Sequence, residues 1–75
     1  MNKDLLAGKW KQLRGEIKST WGKLTDDEVD QVEGDFDKLV GALQEKYGYT
    51  KLEARDQVND FLEDMRHEDE VSERA

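Results

Sequence analysis

Gly8-Lys9-Trp10-Lys11-Gln12-Leu13-Arg14-Gly15-Glu16-Ile17-Lys18-Ser19-Thr20-Trp21-Gly22-Lys23-Leu24 is the stretch on which the fold turns. With Leu6 just before it, the bulky apolar residues are Leu6, Trp10, Leu13, Ile17, Trp21 and Leu24, at steps of four, three, four, four and three. That spacing lines one face of an α-helix. Gly22 then suits the left-handed residue that closes a helix. Twenty-six positions on, the pattern returns: Gly8 aligns with Gly34, Leu13 with Leu39, Gly15 with Gly41, Gly22 with Gly48, and Asp30-Gln31-Val32 with Asp56-Gln57-Val58. Trp10, Ile17 and Trp21 meet Phe36, Leu43 and Tyr47 at the same offset. Residues 8–33 and 34–59 therefore read as two copies of one unit, each too thin to bury its apolar face alone.

Working outward, Thr25-Asp26-Asp27-Glu28 and Thr50-Lys51-Leu52-Glu53 each carry the Thr-x-x-Glu pattern of a capping box, in which hydroxyl and carboxylate satisfy exposed backbone N–H groups at a helix start. Phe36, Leu39, Val40, Leu43 and Tyr47 form the second unit's stripe, and the last helix presents Ala54, Val58, Phe61, Leu62 and Met65. The middle allows two readings: one helix from about residue 26 to 47, or two helices broken at Gly34. The second is preferred, giving an all-α bundle of about four helices, two packed α-hairpins related by the internal repeat. No stretch alternates with period two, which argues against sheet. Residues 1–65 form the domain, and residues 66–75, opening Arg66-His67-Glu68-Asp69-Glu70, read as a charged, flexible tail.

Seventy-five residues hold one domain with a thin core. Leu, Ile, Val and Phe fill only sixteen positions and charged residues make up 41%, so the fold sits near the polar limit of what can collapse. There is no Cys to staple it. Neither a signal-peptide apolar run nor about 18 consecutive apolar residues occurs, so a cytoplasmic protein without stable membrane insertion is expected. The net charge of −7 argues against nucleic acid as a partner. That charge is unevenly spread, at +4 over residues 1–25 and −11 over residues 26–75.

Candidate chemistry is sparse. His67 lies among acids with no nucleophile beside it, and the clusters Asp26-Asp27-Glu28, Glu63-Asp64 and Glu68-Asp69-Glu70 lack calcium-loop spacing. No catalytic residue, cofactor site or metal site is expected. Gly8, Gly15 and Gly22 recur every seven residues opposite the apolar stripe, which reads either as slack or as the seam of a close helix contact. Lys9, Lys11, Arg14, Gly15 and Lys18 are the candidate interaction surface, for a protein partner or an anionic membrane. A monomer is expected, with a homodimer as the alternative.

The strings Met1-Asn2-Lys3-Asp4, Gly8-Lys9-Trp10-Lys11-Gln12-Leu13-Arg14-Gly15, Trp21-Gly22-Lys23-Leu24-Thr25-Asp26-Asp27 and the segment from Gly34 to Tyr49 resemble the CsbD-like family of small bacterial stress proteins. The resemblance spans about residues 1–65, and the acidic extension after Met65 departs from the short members. It implies a cytoplasmic protein made in quantity under general stress, with two packed α-hairpins and no catalytic residues to carry over. Members have been grouped with hydrophilins, very polar Gly-rich proteins thought to protect others during water loss. Six Gly and a mean hydropathy of −1.04 agree with that grouping.

Overall fold

The computed structural model describes residues 2–74, with side chains described for residues 4–65. The side chains of the 66–75 segment, His67 included, lie outside the described residues. Five helices follow one another: α1 (Asn2–Gly8), α2 (Trp10–Thr20), α3 (Asp26–Val32), α4 (Phe36–Tyr47) and α5 (Lys51–Arg74). No strand occurs among the described residues. The protein is an all-α bundle in which α2 packs along α3 and α4 along α5, the second pair being the more extensive.

The expected capping boxes set two of the helix starts. Thr25 Oγ1 accepts from the Glu28 N–H at 3.2 Å while Glu28 Oε1 accepts from the Thr25 N–H at 2.8 Å. At the start of α5, Thr50 and Glu53 make the same exchange at 3.1 and 2.8 Å. Asp35 caps α4 by accepting from the Lys38 N–H at 3.1 Å. Each device pairs N–H groups that have no partner within their own helix.

The middle segment breaks where the glycine lies. Glu33 and Gly34 both adopt left-handed backbone, with φ of 49° and 80°, and α4 restarts after Asp35. The extra helix comes from the first stripe, which is divided at Lys9 (φ −113°, ψ 20°) where a single helix was expected. The physical reason is direction: α1 packs against α4 and α5, whereas α2 packs along α3. Gly8, a weak helix former, stands at the bend. Gly34 is buried in this elbow, where a Cβ on it would lie 3.1 Å from Ala7 Cα and 3.5 Å from Trp10 Cβ.

The two segments that align in sequence turn differently in the structure. Gly48 closes α4 in left-handed conformation (φ 70°), as expected, but α2 ends on Trp21 (φ −119°), and Gly22 does not take positive φ. The first turn needs one residue more than the second to reach its capping threonine, so the caps recur at 25 positions and the glycines at 26. All the stripes nevertheless converge. Leu6, Leu13, Ile17, Trp21, Leu24, Val29, Val32, Phe36, Leu39, Val40, Leu43, Ala54, Val58, Phe61 and Leu62 are buried together, with Trp10, Tyr47, Tyr49 and Met65 half-buried at the margin. Among the described residues no polar or charged side chain is buried.

Candidate interaction surface

Lys11, Arg14, Gly15 and Lys18 share one side of α2 because residues three and four apart are neighbours on a helix. Lys9 instead occupies the α1–α2 elbow and is half-buried. Lys11 and Gly15 are exposed. Arg14 and Lys18 are engaged by α3: the Arg14 guanidinium donates to Asp30 Oδ1, and Lys18 Nζ donates to Asp26 Oδ1 at 2.7 Å. Asp26 and Asp30, four apart on α3, face Lys18 and Arg14, four apart in the opposite sense on α2. Antiparallel packing of the hairpin thus engages two of the four basic residues of the strip in a solvent-exposed ladder of charge.

Glu28 serves the opposite flank of α3. Its Oε1 completes the cap at Thr25, and its Oε2 lies 3.0 Å from Lys46 Nζ on α4. Sequence spacing gave no signal for this pair, since the partners are joined only by the turn at Glu33–Gly34. A second unforeseen tie joins the turns at one end of the bundle. The Lys23 N–H donates to Tyr47 Oη at 3.2 Å, Lys23 Nζ stands 5.1 Å from the Tyr47 ring centroid, and Tyr47 stacks on Tyr49 at 5.4 Å. Such an ammonium contact is favourable because the ring face is electron-rich.

Lys18 beside Asp26 lowers that carboxyl below its ordinary value, first through the hydrogen bond and then through charge. Glu28 is lowered by the Thr25 backbone N–H and then by Lys46. Carboxyls with depressed folded-state values contribute stability above their ordinary values, and that contribution disappears as pH falls through the depressed ones. Glu28→Gln keeps a capping side chain but removes the charge. The gap in urea midpoint between wild type and Glu28→Gln is therefore expected to be constant above the ordinary carboxyl range, to shrink as pH falls below it and to close once Glu28 is protonated in the folded protein. A gap of equal size at neutral pH and at the acid end would show that the carboxylate charge contributes nothing.

The candidate glycine seam is open. A Cβ at Gly8, Gly15 or Gly22 would meet nothing within 4 Å, and the same holds at Gly41. Beside Gly41 lies an open groove of about 340 Å³ between α3 and α4, lined by Glu28, Gln31, Val32, Lys38, Ala42 and Glu45. Among the described residues no three His, Asp or Glu side chains gather as a metal site would require, and no helix is long and apolar enough to cross a membrane.

Fold and surface together define a small all-α domain whose core is wholly apolar and whose charges are knitted across helices. The chain belongs to the CsbD-like family, whose model matches residues 4–56. It is 51% identical over 63 residues to a UPF0337 protein of Bordetella pertussis, covering 84% of this chain and 96% of that one. A UPF0337 protein of Pseudomonas aeruginosa is 52% identical over 61 residues, covering 81% of this chain and 94% of its own. The UPF0337 protein YjbJ of Escherichia coli K12 shows the same identity over 61 residues, covering 81% and 88%. No solved structure matches the chain.

Proposed function

We propose that this is a non-enzymatic, cytoplasmic stress-response protein that acts through its hydrated, charged surface as a protectant of other proteins. The observation that carries the reading is the separation of an apolar interior from a mostly charged exterior: among the described residues every buried side chain is apolar, and Leu52 is the one large apolar side chain left exposed. A surface of this kind at net charge −7 keeps a protein soluble and apart from its neighbours at high concentration. The family membership and the mean hydropathy of −1.04 support the same reading. The engagement of Arg14 and Lys18 by α3 weighs against a free basic strip on α2 as the principal working surface.

The test is drying. A labile enzyme dried with this protein is expected to retain more activity than the same enzyme dried with an equal mass of an unrelated acidic protein. Equal retention would sink the protectant reading. A saturable cross-linked partner lost on charge reversal at Lys11 and Arg14 would replace it with specific binding.

A further inference from the structure

Helix α3 is short and lightly held. It has seven residues, too few to be stable as a helix without tertiary support. Its apolar attachment is Val29 and Val32. Its polar attachment is three carboxylates, each tied to a cation on another helix: Asp26 to Lys18, Asp30 to Arg14 and Glu28 to Lys46. The first two pairs are open to solvent, with Asp26 84% and Lys18 40% exposed and Asp30 54% and Arg14 47%, and the third is half-buried, with Glu28 26% and Lys46 32% exposed. Ion pairs so placed are screened by salt, the Debye length falling from about 10 Å at 0.1 M to about 3 Å at 1 M.

The C-terminal end of α3 runs into a left-handed bend. Glu33 holds a left-handed φ of 49° without being glycine, a conformation that L side chains rarely adopt, and Gly34 follows at φ 80°. The capping box at Thr25 lies within the α3 segment itself, so it survives undocking of α3.

We propose that α3 is an ionic-strength-sensitive segment: salt weakens its three cross-helix ion pairs, and α3 opens locally between the turn anchored by buried Trp21 and Leu24 and the Glu33–Gly34 bend, both of which hold, while the α4–α5 hairpin stays folded. Opening uncovers Val29 and Val32. The device is separate from the protectant reading, because it concerns a local equilibrium that exists whether or not the protein guards others.

Amide hydrogen exchange by NMR on the full chain tests it, comparing about 0.02 M with about 0.5 M sodium chloride. Exchange at Val29, Asp30, Gln31 and Val32 is expected to accelerate about threefold or more relative to Leu39, Val40 and Leu43. In the variant Arg14→Gln, Lys18→Gln, Lys46→Gln, which leaves the α3 sequence untouched, the α3 amides should exchange fast at low salt and respond little to added salt. The wild-type comparison stands by itself if the triple variant fails to fold. An unchanged wild-type ratio, uniform acceleration of all helices, or an undiminished salt response in a folded triple variant would each overturn the proposal.

Discussion

Gly34→Ala is expected to destabilise the protein by about 2–4 kcal/mol, while Gly41→Ala, the same chemical change seven residues later, stabilises it by about 0.5–1 kcal/mol. At Gly34 the left-handed φ of 80° disfavours any Cβ, and that Cβ would lie 3.1 Å from Ala7 Cα. Backbone cannot rotate out of the way as a side-chain tip can, so the α1–α2 elbow must shift. At Gly41 the helix is regular and the Cβ position is open, so the substitution lowers the entropy of the unfolded chain without a clash. A domain of this size has about 4–11 kcal/mol of total stability. The loss at Gly34 is therefore a large fraction of the whole. Urea midpoints of the two variants and wild type check the prediction, and equal midpoints for both variants would mean that the elbow is not closely packed.

Periodicity carried most of the core. Leu13, Ile17, Leu24, Leu39, Leu43, Val58 and Leu62 are buried because apolar spacing and helix geometry share one period. Both threonine caps were also legible, since each depends on local backbone chemistry, whereas the break at Gly34 was the preferred of two readings because the stripe from Val29 to Leu43 also allows an unbroken helix. The elbow at Lys9 was not, because Leu6 and Trp10 are four apart whether or not the helix bends between them. What bends it is the need of α1 to reach α4 and α5. Gly22 and Gly48 align in the sequence at an offset of 26, yet only Gly48 is left-handed, since the extra residue before Thr25 gives the first turn another route. On the candidate surface the residue types were readable and their pairing was not. Arg14 and Asp30 are sixteen positions apart, and only the antiparallel packing of α2 on α3 brings them together.

Trp21→Ala is expected to cost about 3–5 kcal/mol and to lower Tm by more than about 15 °C, whereas Trp21→Phe costs less than about 1.5 kcal/mol. Trp21 is 3% exposed and meets Phe61 of α5 in a tilted ring pair, with centroids 5.2 Å apart and planes at 54°. Ring pairs tilted at this separation, rather than stacked face on face, contribute beyond the area they bury. The backbone of α2 runs beside α1 and α3 and does not approach α5 closely. The indole therefore spans from the end of the first hairpin to the second, and truncating it leaves a void that nearby backbone cannot fill. The damage should be directional: amides of α2 and α3 lose more exchange protection than those of α4 and α5, which retain their own extensive packing. Trp10→Ala is the comparison, because Trp10 is half-buried at the elbow and should cost less than Trp21→Ala. Thermal melts followed by circular dichroism rank the three variants. Equal losses from Trp10→Ala and Trp21→Ala would show that the Trp21–Phe61 contact is no stronger an anchor between the hairpins than the elbow is.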